Sequence, residues 1–306
     1  MDSPLPPELP PPIAIDPRSI PWARALRAAL YRPMHLLGIS RDRARSGAIL
    51  TALLLIVTLL ASPFVVTILL TAAGLVPFDE HGRPVGSMAT VGIADKAVGS
   101  FSALLLLFGL ARRWKINVEE FGVTGRRLGL QFALIAPTFL MCYFVMIASG
   151  VLLLPFMGNE QEMMEQAQKR IEFMEEIQTP VWWQSALLML FVATHEEVLF
   201  RALLIPFLRR AGLGWFGAIL CSSLLFGLAH VPGQGWLAML QTGGLGLMFG
   251  VVFVLSRSLP TVIGAHALFN FVQLLLVPLF ADQIDFESLN SPDSQPAPSE
   301  LPPDVV

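Results

Sequence analysis

Between residues 48 and 280 the sequence runs apolar for about 20 residues at a time, the length a helix needs to cross the hydrocarbon core of a bilayer. The stretches are 48–75, 91–111, 130–156, 182–208, 213–231, 236–255 and 260–280. They constrain the fold because backbone N–H and C=O groups in hydrocarbon must be satisfied within their own segment, which a helix achieves. The expectation is an all-α, polytopic membrane helix bundle of about seven (seven or eight) transmembrane helices, set in the cell membrane. Composition agrees, with 54% of the 306 residues hydrophobic and 14% charged, against about a quarter charged in soluble domains.

The flanks read differently. Residues 1–45 form a proline-rich lead followed by a mixed, basic stretch at 18–40 that suits an interfacial helix better than a crossing. Residues 46–181 hold the first three spans and an external loop, 182–281 the polar-bearing spans, and 282–306 an acidic, proline-rich tail expected to be disordered. The lead lacks the basic and apolar regions of a cleaved signal peptide. Arginine and lysine collect before the first span, between the second and third, and after the fourth and sixth, which would place the N-terminus inside. The loop at 159–179 is helix-prone, with Met164, Ile171 and Met174 spaced to share one apolar face, and it is expected to rest that face on the bundle. A net charge of -3 without a basic patch excludes nucleic acid as a partner, and Cys142 and Cys221 fall within spans, where they act as small apolar residues.

One span breaks the pattern. Residues 194–201 read THEEVLFR inside an otherwise apolar run, and ionisable side chains there cost a few kcal/mol each unless they pair or do chemistry. Glu197 and Arg201 are four apart on a helix, acid first, so they stack and neutralise each other. Glu196 points about 100° away and needs another partner. His230 ends the fifth span in FGLAH, and His266 and Asn270 sit one turn apart on one face of the seventh, in HALFN. A glutamate, two imidazoles and an amide from three helices supply a general base, proton carriers or metal ligands, and an oxyanion donor. The H-E-x-x-H zinc-protease motif is absent, since position 199 is leucine, and no G-x-S-x-G lies in a span.

The ordered triple EEVLFR (196–201), FGLAH (226–230) and HALFN (266–270) resembles the CPBP intramembrane proteases, the family of the type II CAAX prenyl endopeptidases and bacteriocin-processing proteins, whose signature is EExxxR, FxxxH and Hxxx(N/D/S). The resemblance implies that Glu196 activates the attacking water, that His230 and His266 position it or bind metal, that Asn270 stabilises the oxyanion, and that Glu197 with Arg201 holds the helix geometry. Glu196, His230 and His266 would match a catalytic zinc set (Zn2+) with an open position, and a metal-free glutamate mechanism is the alternative. The implied substrate is a membrane-associated peptide or protein reached within the lipid bilayer. A non-catalytic protein of the same fold, a bacteriocin self-immunity factor or scaffold, is the competing reading, and a proton-coupled transporter the third. Straight spans raise a difficulty. At 1.5 Å per residue Glu196 lies near mid-membrane, with His230 and His266 close to opposite surfaces. Pro206, Pro232, Gly233, Gly235 and Pro260 are the places where bending or shortening would relieve it.

Overall fold

The structure is a computed structural model, and it describes residues 39–76, 88–125, 127–153 and 181–281, together with Leu36, Pro155, Gln168, Ile171, Met174, Ile177 and Thr179. The proline-rich lead, nearly all of the 18–40 stretch, most of the 159–179 loop and the tail from 282 lie outside the described residues.

Among the described residues every regular element is helical. In chain order they are α1 (Arg41–Leu60), α2 (Ser62–Ala72), α3 (Met88–Trp114), a 3-10 turn (Val118–Phe121), α4 (Leu128–Ala133), α5 (Ile135–Leu153), α6 (Trp182–Glu197), a π-helical segment (Val198–Leu204) and α7 (Ile205–Ala211). Next comes the helical stretch Trp215–Ser256, interrupted at Gly235 and so divided into α8 (Trp215–Pro232) and α9 (Ala238–Ser256), and finally α10 (Leu259–Ala281). Six helices are long and apolar enough to cross a membrane by length and composition. The stretch read as a single fourth span is instead α6, the π segment and α7 joined end to end through helical backbone. The first span also breaks, at Ala61, where Pro63 begins a new helix in its first turn. The bundle wears its apolar residues outside, with Phe64, Phe144 and Phe216 more than two-thirds exposed, while Glu197 and Arg201 are wholly buried. That inversion suits a hydrocarbon surround.

Gly235 reverses the chain. Its φ of 79° and ψ of 178° are non-helical, a conformation glycine adopts without a Cβ penalty. The two halves then pack antiparallel, because positions rising along α9 meet positions falling along α8. A Cβ on Gly227 would sit 2.4 Å from the Met239 carbonyl oxygen, one on Gly246 3.3 Å from Ser223 Cα, and one on Gly250 2.8 Å from the Ile219 side chain. The glycines of the sixth span thus do what their spacing suggests and let helix backbones approach. Around this hairpin, α5 lies against both it and α10, α6 packs between α3 and α10, and α1 covers α7 and the π segment. All seven residues of the π segment are buried, which makes it the hub of the bundle.

Gly227→Ala is expected to destabilise the detergent-solubilised protein by about 1–3 kcal/mol, the usual cost of overpacking. Gly129→Ala, with nothing within 4 Å of its added carbon, should stay within about 0.5 kcal/mol of the parent. Thermal unfolding of the two variants side by side measures this, and equal midpoints would refute the close-packed hairpin.

Candidate active site

The site grows out of one shared carboxylate. Glu197 Oε1 accepts from Arg201 Nη1 at 2.8 Å, as the i, i+4 spacing requires, and also from His266 Nδ1 at 2.7 Å. The sequence reading assigned Glu197 to helix geometry alone; the second bond ties α6 to α10. Arg201 is further held by the Gly246 carbonyl at 3.3 Å, and its guanidinium lies over the Phe226 ring at 4.3 Å and near Phe249 at 5.5 Å. Every element around this charge pair is aromatic or backbone, so the pair is sealed. Neither Glu197 nor Arg201 lines the open cavity next to it.

Glu196, one residue earlier, points elsewhere. It lines a cavity of about 420 Å³, together with His195, His230, His266 and Asn270. The structure therefore brings together every residue of the sequence-derived site that faces away from the Glu197–Arg201 pair. Its Oε2 is buried and makes no hydrogen bond, and His266 Nε2 lies 3.7 Å from it. At that distance the two atoms are not directly hydrogen-bonded.

Both catalytic-type imidazoles have their inner nitrogen committed. His266 Nδ1 is engaged by the Glu197 carboxylate, and His230 Nδ1 lies 2.8 Å from the Phe226 carbonyl, four residues back on the same helix. Since a carbonyl or carboxylate accepts, each Nδ1 carries a proton, and in the neutral imidazole each Nε2 is then left as an acceptor. The FxxxH spacing has its physical basis here. Phe226 supplies the carbonyl that sets the His230 tautomer, its ring touches His230 at 4.7 Å, and the same ring covers Arg201. His266 is stacked on Phe249 at 5.1 Å.

The meeting of these groups resolves the depth difficulty. Gln234, beside the reversal at Gly235, lines the same cavity as Glu196, so the α8–α9 turn stands at the level of the site. Glu197 opposite His266 and Leu188 beside Leu274 show α6 and α10 running antiparallel past each other. Pro232 lies inside the helical stretch, and the reversal comes at Gly235.

Several lining residues escaped the sequence reading. His195 belongs to the quoted octapeptide but received no role. Its Nε2 lies 2.9 Å from Thr58 Oγ1, whose own hydrogen goes to the Leu54 and Leu55 carbonyls, so His195 donates. Gly99 lies against its ring, where an added Cβ would come within 3.3 Å. Asp95 and Lys96, adjacent charges within the second span, also face the cavity; their position in an apolar run was the available signal. Met174 and Ile177 of the 159–179 loop, helical at these positions, pack on the Leu188–Met189–Leu274 cluster and line the cavity mouth. Cys142 and Cys221 are free.

Zinc can be tested against this geometry. Two Nε2 acceptors and a carboxylate are the right donor types, and inner nitrogens held by carboxylate and carbonyl are what zinc-bound histidines usually show. Among the described residues, however, no three such side chains converge closely enough to hold an ion. The donor set does not close as placed.

Removing one partner of the buried pair, by Glu197→Ala or Arg201→Ala, should cost about 3–5 kcal/mol, whereas the double replacement Glu197→Leu with Arg201→Met should cost much less than their sum. Thermal unfolding of the three variants decides it, and additive losses would mean that the two residues act separately.

Comparison with known proteins bears on the same segment. Residues 178–272 match the family model described as type II CAAX prenyl endopeptidase Rce1-like. No curated protein and no solved structure matches the chain. The matched stretch runs from the start of α6 into α10 and contains all three motifs. Through it, this multi-pass membrane protein is similar to the CPBP membrane endopeptidases, the resemblance that EEVLFR, FGLAH and HALFN carry.

Proposed function

We propose that this protein is an intramembrane endopeptidase that hydrolyses a peptide bond of a membrane-associated protein or peptide with a water activated by Glu196. The observation that carries this reading is the unpartnered, buried Oε2 of Glu196 facing the cavity, 3.7 Å from an imidazole nitrogen whose proton is held on the far side of the ring.

The steps follow from the donor and acceptor inventory. A water between Glu196 Oε2 and His266 Nε2 can donate one hydrogen to each, which turns a lone pair outward. As its oxygen attacks the carbonyl carbon of the scissile bond, its proton passes to Glu196. The carbonyl oxygen gains the negative charge, and the Asn270 amide, on the same face one turn beyond His266, donates to it. Collapse of the tetrahedral intermediate breaks the C–N bond, and Glu196 returns the proton to the leaving amine. Glu197 keeps the Nδ1 proton on His266 throughout, and Arg201 holds the Glu197 carboxylate in place. His230, fixed in the matching tautomer by Phe226, offers a second Nε2 for the water or the departing group. The surrounding Phe200, Phe226, Phe249 and Phe269 exclude bulk solvent, which strengthens each of these interactions.

Cleavage of internally quenched apolar peptides by the purified full-length chain tests the reading. Glu196→Gln should fold with an unchanged melting midpoint and lose about 10²–10⁴-fold in rate, and Asn270→Ala about 10²–10³-fold. Undiminished cleavage by Glu196→Gln would sink the proposal and leave a binding protein of the same fold. Dialysis against a zinc chelator should leave the rate unchanged; a loss restored by added zinc would move the water onto a metal.

A further inference from the structure

The cavity holds a second charged feature that no motif covers. Asp95 and Lys96 lie in the N-terminal third of α3, within a segment apolar enough to span the membrane, and both line the wall of the Glu196 cavity. Intramembrane charges of this kind are costly and are kept where they do something. The two halves of the pair are not equivalent. Asp95 is fixed: Ser62 Oγ donates to its Oδ1 at 2.5 Å, Lys96 Nζ lies 3.0 Å from its Oδ2, and its side chain is 7% exposed. Lys96 is 31% exposed, and Asp95 is its only partner among the described residues. An ammonium has three N–H donors, so most of its capacity faces the cavity. Adjacent helical residues do not face each other, so Lys96 must fold back to reach Asp95, whereas its extended reach is into the open space.

Leu59, Pro63, Leu188 and Met189 are among the apolar residues that line the same cavity. The other formal charge on the wall is the carboxylate of Glu196. An apolar peptide that carries one anionic group therefore meets repulsion from Glu196 and, at Lys96, an ammonium that Asp95 shares but does not fill. Resting on the protease reading above, we propose that Lys96 is a specificity residue that binds a carboxylate of the substrate peptide, either its C-terminus or an acidic side chain, and thereby sets the direction in which the peptide crosses Glu196. Asp95, held by Ser62, is the positioning residue. It keeps the ammonium at the wall and neutral as a pair until a substrate carboxylate shares it.

The test separates binding from cleavage. Fluorescent apolar peptides are prepared in four forms: free C-terminus, C-terminal amide, and amide with an internal Glu or the matching Gln. Their affinity is measured on the full-length Glu196→Gln protein, and their cleavage on the parent. Carboxylate-bearing forms should bind about one to two orders of magnitude more tightly than their neutral mates, the range a single bond to a charged group spans. Lys96→Met, and the charge-neutral double variant Asp95→Asn with Lys96→Met, should erase that difference, and Lys96→Arg should retain it. Preference for the free C-terminus over the amide assigns the carboxylate to the chain end; preference for Glu over Gln assigns it to a side chain. Cleavage with equal binding of acid and neutral forms would overturn the Lys96 proposal and leave the protease intact. Carboxylate-selective binding that depends on Lys96, without cleavage of any peptide by the parent, would keep the anion site and remove the protease. Neither selectivity nor cleavage would overturn both.

Discussion

A buried carboxylate shared by two helices organises this protein. Glu197 has no exposed surface, and its Oε1 serves both Arg201 at 2.8 Å and His266 at 2.7 Å. In a bundle whose lipid-facing surface offers no hydrophobic gain for helix association, polar contacts of this kind fix which helices meet and in what register. The bond to His266 places α10 against α6 at the depth of Glu196. Arg201 in turn reaches the Gly246 carbonyl on α9 and fills the space between Phe226 and Phe249. Four of the closing helical segments are thus referenced to a single carboxylate. Breaking it would leave an unpaired charge in the interior, so the cost falls on the whole arrangement.

Much of this was legible in the sequence, at the level of spans and spacing. The expected stretches 213–231, 236–255 and 260–280 correspond closely to α8, α9 and α10, because long apolar runs ended by Pro, Gly or Arg leave little choice. The Glu197–Arg201 contact followed from four-residue spacing alone. The common face of His266 and Asn270 did too, since both line the cavity. Depth and partnering were not legible. Counting residues along straight rods put His230 near the far surface, whereas the positive φ of Gly235 folds the α8–α9 hairpin back at the level of the site. Nor does any periodicity separate a π segment from an α-helix over seven residues, so Val198–Leu204 read as a plain continuation of the span. The His266 bond to Glu197 was missed because it joins residues 69 positions apart, and only the tertiary packing decides such pairs.

The local spacings acquire reasons once the contacts are known. Phe226 stands four residues before His230, so that its backbone carbonyl holds the imidazole proton while its ring lies over Arg201. A different residue there would keep the carbonyl and lose the cover on the guanidinium. The wide π turn after Glu197 buries seven consecutive residues on all sides, which an α-helix at a bundle surface does not do. That is the environment an arginine in a membrane interior requires, because its charge must find carboxylate, carbonyl and ring faces together.

Adjacent carboxylates with opposite fates are the functional consequence. Glu196 and Glu197 differ by one position, hence by about 100° around the helix axis, and the rotation separates two environments. Glu197 turns into the sealed side, where Arg201 and His266 occupy its Oε1. Glu196 turns into the cavity, where Oε2 has no protein partner. Glu197 Oε1 is engaged by both Arg201 and His266, and of the two carboxylates only Glu196 lines the open cavity. The two glutamates are also not independent, because Glu197 decides which nitrogen of His266 carries the proton, and that nitrogen decides whether the one facing Glu196 can accept. Two adjacent carboxylates on one helix thus let a single backbone segment hold the His266 imidazole through Glu197 and present Glu196 to the cavity.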